Sequence, residues 1–209
     1  AEYTIVIDLS STAKEIIIGA APVLASRIGY VGELGFELHI PSEFAIHVYK
    51  ELWQAGQEME IANVGYRAIE SLRMEKGYLY WSGDISPDYS PLEAGLGFRV
   101  HFDLKGEFLG RQALESQMKN GLDRKLFTFI SEQFLPLTGG ETILESGRVV
   151  SLATSVAYGF TVKKTIIRGY LDRLYWGKTE FTVEVFGQRY PVKLASSPVY
   201  DPKNLALKG

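Results

Sequence analysis

Two periodicities divide the chain. Up to about Met118, apolar residues fall partly in strand-like alternation and partly at helical spacing. Ile5, Ile7 and Leu9 alternate with other residues, and Glu15-Ile16-Ile17-Ile18 is a short apolar run closed by a turn at Gly19-Ala20-Ala21-Pro22. Val23 to Tyr30 reads as a further strand. Gly32-Glu33-Leu34-Gly35 interrupts it, and Phe36, Leu38 and Ile40 then alternate with Glu37 and His39. Two strands joined by a glycine-flanked turn are expected.

Helical spacing follows. Pro41-Ser42 supplies a start with Ser42 as the capping residue; Phe44, Val48, Tyr49 and Leu52 recur on one face, and Gly56 is the stop. A second helix is expected from about Asn63, with Ala68, Ile69, Leu72 and Glu75 on one face, ending at Gly77. Residues 82–92 read as a loop, and 95–102 return to strand character. Phe108 to Arg111 leads into a third helix with Ala113, Leu114 and Met118 as its apolar face, closed by Gly121 in the left-handed conformation.

From about Leu122 the period is two and stays there. Leu126 to Ile130, Glu141 to Leu144, Arg148 to Ser155 and Thr165 to Leu171 read as strands, with hairpin tips at 145–148 and 186–189. About six short strands at this spacing imply a small barrel or sandwich. The change of period places a domain boundary between residues 118 and 124, giving domains 1–121 and 122–209. The chain opens on a strand-like Ala1-Glu2-Tyr3 with no initiator Met, and reads as a piece of something longer.

Composition narrows the chemistry. Hydrophobic residues at 46% and charged residues at 22% are globular values, which argues against disorder. The net charge of −3 leaves no basic excess for a phosphate backbone, so no nucleic-acid partner is expected. No apolar run approaches the roughly 20 residues of a membrane span, so no membrane partner is expected either. Without cysteine there is no disulfide, thiol catalysis or thiolate metal site. His39, His47 and His101 are too scattered for a metal cluster, and no serine has a nearby histidine base. No metal site is expected. Asp84, Asp88 and Glu93 match no calcium loop and read as solvated, and Tyr78, Tyr80 and Trp81 read by default as core packing.

The most unusual local feature is Gly29-Tyr30-Val31-Gly32-Glu33-Leu34-Gly35-Phe36-Glu37, with three glycines, a phenol and two carboxylates. Read structurally, the glycines supply positive φ and Glu33 sits in solvent. Read functionally, alternation puts Glu37 and His39 opposite Phe36, Leu38 and Ile40. A carboxylate there suits the paired N–H donors of a planar heterocycle such as a pterin, with Tyr30 as an aromatic wall or hydroxyl.

This stretch resembles the G-Y-x-G-E-x-G-[FY]-E motif of the glycine cleavage T-protein (aminomethyltransferase) family. Gly65 to Tyr78 is similar to the helix that follows it there. Asp84 with Ser90-Pro91-Leu92-Glu93-Ala94-Gly95-Leu96, Phe108 to Leu114, and Ser197 to Pro202 resemble later segments in the same order. Val31 to Pro41 and Asp88 to Leu96 are most like the carboxy-terminal, folate-binding part of sarcosine dehydrogenase. The resemblance implies an α+β fold: part of a folate-binding α/β domain with an antiparallel sheet, then a small C-terminal β-barrel. It implies tetrahydrofolate as cofactor and Tyr30 and Glu37 as contacts, with Tyr78 further along. The family's arginine in A-R-D is replaced here by Ile69, and Arg67 is the nearest candidate for the glutamate tail. The family's catalytic Asp lies far upstream of the glycine motif, and 28 residues precede Gly29 here, so no catalytic residue is assigned and Asp8 is not given the role.

The implied function is capture of a one-carbon unit from a small N-methyl amine as 5,10-methylenetetrahydrofolate, within a sarcosine- or dimethylglycine-dehydrogenase-type enzyme. FAD would belong to another part of the whole protein. The expected location is the mitochondrial matrix in a eukaryote and the cytoplasm in a bacterium. The alternative is a non-catalytic regulatory subunit of the pyruvate dehydrogenase phosphatase type.

Overall fold

A computed structural model of the chain describes residues 13–103 and 107–208. The strand expected over Ile5 to Leu9, together with Asp8, lies outside the described residues. Packing divides the chain into two compact units: residues up to Ile69 with those from Lys203 onward, and Glu70–Pro202.

In the first unit β1 (Ala13–Ile18), β2 (Ala21–Ser26) and β3 (Glu37–His39) form an antiparallel sheet in that order. Ile16 pairs with Val23, and Ala25 with Leu38. Period-two alternation sends Ile18, Ala21 and Val23 to one face, where they bury against Val48 of α1 (Ala45–Gly56), with Leu38, Ile40, Phe44 and Leu52 around them. The tight turn between β1 and β2 is tied to this helix. The Ala20 N–H donates to His47 Nε2 at 3.1 Å, which puts the imidazole proton on Nδ1, 3.8 Å from Glu51. Gly19 has φ +59°, and a Cβ there would lie 2.2 Å from the same Nε2, so both backbone and space require glycine.

Two expectations are corrected here. The strand from Val23 ends at Ser26, not Tyr30, because the Ile28 N–H turns back to the Ser26 carbonyl at 2.8 Å. Ser42 is not a cap: it begins a 3-10 turn (Ser42–Phe44), and the Phe44 N–H donates to Pro41 O at 2.9 Å.

The second unit holds the C-terminal barrel. Its strands are β4 (Arg124–Ser131), β5 (Thr142–Glu145), β6 (Arg148–Leu152), β7 (Ser155–Gly159), β8 (Lys164–Asp172), β9 (Phe181–Val185) and β10 (Gln188–Ala195). They form one antiparallel sheet in the order β6-β5-β9-β10-β4-β8-β7, with the two hairpin tips where they are expected. The sheet curls until β6 meets β8. A Cβ on Gly169 would lie 2.7 Å from Ser151 Oγ and 3.0 Å from Leu152 O, so a bare backbone allows that approach. Phe129, Ile143, Ile167, Leu171, Phe181, Val183 and Val192 fill the interior. The run Arg148 to Ser155 is not one strand: the chain breaks at Ala153-Thr154, where it passes from the β6 end of the sheet to the β7 end.

Strand β8 is buried along both faces from Thr165 to Leu171. Residues 78–96 form the outer layer that covers it: Tyr170 Oη donates to Asp84 O at 2.8 Å, and the Tyr89 ring stacks on Tyr170 at 3.8 Å. Strand character at 95–102 is therefore not realised. A 3-10 turn occupies Gly97–Arg99, since this segment packs as a covering layer and finds no ladder partner. Helix α3 (Arg111–Asn120) follows with no buried residue; Ala113 and Met118 of its expected apolar face are exposed. Gly121 closes it with φ 83° but ψ 168°, an extended ψ rather than the left-handed turn.

Candidate functional site

The glycine motif forms the connection between β2 and β3. Ser26 pairs with Glu37 across its base, so residues 27–36 make a closed loop on the sheet edge. Of its glycines, Gly32 has positive φ (77°) and is buried; Gly29 and Gly35 do not, and a Cβ on either would meet Glu33 O at 3.8 or 3.9 Å, ordinary contact. The positive-φ reading therefore holds at one position of three. Glu33 is half-buried and engaged, not free in solvent.

Alternation places the expected ligands as follows. Glu37 and His39 are exposed on the β3 face opposite Leu38, which packs inward. Among the described residues Glu37 takes part in no ion pair, so its carboxylate oxygens stand open to a donor. Tyr30 is half-buried in the loop. Arg67 is exposed on the first turn of α2 (Tyr66–Lys76). Tyr78, half-buried, belongs to the second unit, just beyond α2.

The second unit contains a set of residues that periodicity missed. The last turns of α2 bury Ser71, Arg73, Met74, Glu75 and Lys76, so the polar side of this helix packs inward. Asp84 is completely buried and its carboxylate is fully used. Oδ2 accepts from Arg73 Nη1 at 2.7 Å, from Arg168 Nη1 at 3.3 Å and from the Tyr80 N–H at 3.0 Å; Oδ1 accepts from Thr154 Oγ1 at 2.7 Å. Arg73 also reaches Glu70 and, at 2.8 Å, Ser155 Oγ. Burial alone would lower the Arg73 pKa, but Glu70 and Asp84 outweigh it and raise the value, so the guanidinium stays charged.

The same helix seals the barrel edge. Ser71 Oγ donates to Tyr158 O at 2.6 Å, and Glu75 Oε1 accepts from the Thr161 and Val162 N–H groups at 2.7 and 3.1 Å. Lys76 Nζ pairs with Asp201 at 2.8 Å. These bonds occupy backbone groups beside β7, which a bare edge strand would leave open. The reading of 82–92 as a solvated acidic loop is thus corrected: Asp84 and Glu93 are buried, Glu93 holding Arg124 at 3.1 Å, while Asp88 is exposed. The aromatic patch is corrected in the opposite sense. Tyr80 is 40% and Trp81 65% exposed, so they are not core. One legible signal existed: four charges crowd residues 70–76 beside a narrow apolar stripe of Ala68, Ile69 and Leu72.

Burial, with smaller contributions from Tyr89 and Asp84, raises the Tyr170 hydroxyl well above the ordinary phenol range. The neutral phenol is the form the fold favours. Its contribution is complete below the unfolded-state pKa of about 10 and is lost as pH rises through the higher folded value. Chemical denaturation of Tyr170→Phe at a series of pH values should show a shallower stability loss than the parent between about pH 9.5 and 11. Equal slopes would mean that Tyr170 ionises freely in the folded protein. Among the described residues there is no group of three or more potential metal ligands, and no helix long and apolar enough to cross a membrane.

Comparison with known proteins bears on the whole arrangement. The family model of the GCVT N-terminal domain matches residues 10–104, and that of the glycine cleavage T-protein C-terminal barrel domain matches residues 124–201. Mitochondrial sarcosine dehydrogenase of Mus musculus is 40% identical over 195 residues, covering 90% of this chain and 21% of that enzyme. The aminomethyltransferase of Halothermothrix orenii is 39% identical over 152 residues, 72% of this chain and 42% of that protein. The crystal structure of the glycine cleavage system aminomethyltransferase T from Bartonella henselae superposes with a TM-score of 0.76 at 26% identity, over 85% of this chain and 49% of that one. The chain therefore spans about a fifth of the sarcosine dehydrogenase and about half of the solved aminomethyltransferase. With the two halves of one family architecture matched in order, and the curled antiparallel barrel in place, the chain belongs to the glycine cleavage T-protein family.

Proposed function

We propose that this chain is the tetrahydrofolate-holding part of an aminomethyltransferase-like enzyme of the sarcosine or dimethylglycine dehydrogenase type. Its two functional parts would be residues 1–121 and the barrel region 122–209. The observation that carries the reading is the Glu37 carboxylate, exposed on β3 at the end of the family's glycine motif and committed to no described cation. An open carboxylate is an acceptor-only group, and the adjacent ring N–H and amino donors of a pterin suit it by two charge-assisted bonds. The donor set thus fits a reduced folate.

Glu37 would hold the pterin, with Tyr30 beside it on the same loop, Arg67 toward the glutamate tail and Tyr78 as a further contact. When bound, the folate supplies the acceptor that carries a one-carbon unit as 5,10-methylenetetrahydrofolate. These residues contribute binding and orientation, so the gain is one of proximity rather than proton transfer. The N-methyl amine substrate, an FAD-bearing part and a mitochondrial matrix location in a eukaryote belong to the same proposal for the whole protein.

Calorimetric titration of the chain with a stable reduced folate tests it. Saturable binding is expected, and Glu37→Gln should weaken it by about 1.5–3 kcal/mol, the range for a hydrogen bond to a charged group. An unchanged Kd in that variant removes Glu37 from the site. Absence of binding by the folded chain shifts weight to a non-catalytic subunit of the pyruvate dehydrogenase phosphatase regulatory type.

A further inference from the structure

The buried carboxylate of Asp84 has a second consequence beyond stability, because its partners converge on one short piece of backbone. Arg73 Nη1 and Arg168 Nη1 both donate to the Tyr78 carbonyl, at 3.2 and 2.8 Å, while both also face Asp84 Oδ2. Two residues further on, the Tyr80 N–H donates to the same Oδ2, and the Asp84 N–H donates to Tyr80 O at 2.8 Å. The Tyr78–Tyr80 backbone is therefore gripped at both ends by one charge cluster. The cluster is itself fixed to the barrel through Thr154, Ser155 and Arg168.

The chain emerging from this grip is exposed where a structural segment would bury its rings. Tyr80 and Trp81 face solvent, and the turn that follows holds Ser82 at φ +72°, closed by the Ser82 N–H to Ile85 O at 2.8 Å. Three buried charged side chains are a large outlay in desolvation for a fold that apolar packing would stabilise as well. Their geometric effect is to deny this backbone any freedom.

We propose that Asp84 is a positioning residue: through Arg73 and Arg168 it sets the Tyr78 backbone so that Tyr78 meets the bound folate in one orientation. This inference rests on the reading of Tyr78 as a folate contact given above. Asp84 touches no ligand, and its effect on affinity passes entirely through Tyr78. Thr154 belongs to the same device, since its hydroxyl orients Oδ1.

The test is a double-mutant cycle on the full chain, read as the Kd of a stable reduced folate by calorimetry, with folding checked by circular dichroism. Tyr78→Ala alone is expected to weaken binding about tenfold. Asp84→Asn should do so comparably in the parent and by less than about twofold in the Tyr78→Ala background, because a positioning effect vanishes with the ring it positions. Should Asp84→Asn fail to fold, Thr154→Val replaces it: the loss of one bond to Oδ1 leaves both ion pairs in place, and the same non-additivity is expected. Equal effects of Asp84→Asn or Thr154→Val in both backgrounds, or no effect in either, overturn the inference while the folate reading stands. Binding untouched by Tyr78→Ala overturns it together with the Tyr78 assignment. Absence of binding by the parent chain overturns it together with the folate reading.

Discussion

Asp84→Ala is expected to lower the unfolding free energy by about 3–5 kcal/mol, the range for removing one partner of a buried ion pair. The substitution takes away four acceptor contacts and leaves the buried guanidiniums of Arg73 and Arg168 facing a gap. Glu70 still answers Arg73, which keeps the loss within that range. Asp84→Asn should cost less, because the amide oxygen retains one acceptor. Urea unfolding followed by tryptophan fluorescence and by far-ultraviolet circular dichroism measures it. A loss below about 1 kcal/mol in Asp84→Ala would mean that the cluster is hydrated or rearranged and does not knit the 78–96 layer to β8.

Phe129→Ala should destabilise the barrel by about 3–5 kcal/mol, through lost transfer free energy plus a cavity the curled sheet cannot close. Phe129 sits at the centre of β4, wholly buried, with its ring edge-on to Phe181 at 5.3 Å and 74°. Collapse around the cavity is resisted because β4 is paired on both sides, to β8 and to β10. Phe129→Leu retains most of the volume and is expected to lose clearly less. If the two variants proved equally stable, the Phe129–Phe181 contact would not be part of a close-packed core. Denaturant midpoints at constant m-value make the comparison.

Much of this molecule was legible one segment at a time. The β1–β2 hairpin, the pairing of β2 with β3, α1, the end of α2 at Gly77 and the two barrel hairpins follow from short-range period and turn chemistry, which act within a few residues. The glycine motif was legible as a loop ending in an outward carboxylate, because alternation alone puts Glu37 opposite Leu38. Failures gathered where partners are remote in sequence. The 95–102 stretch has strand composition and becomes a covering layer. The Arg148 to Ser155 run has strand pattern throughout and breaks where the chain changes ends of the sheet.

The buried charges are the sharpest case. Arg73 lies 82 residues from Ser155, and Asp84 lies 70 from Thr154 and 84 from Arg168, so no local pattern announces that these polar groups will meet. By itself the sequence determined which segments are strands and helices, where most of them turn, which family the motifs resemble, and that Glu37 points away from its own core. The tertiary structure alone decided that the polar side of α2 would face inward, that Asp84 would be gripped rather than solvated, and that Tyr80 and Trp81 would stay outside. The reason is physical: a charge is buried or exposed according to whether counter-charges arrive, and here they arrive from strands that only the closed barrel brings near.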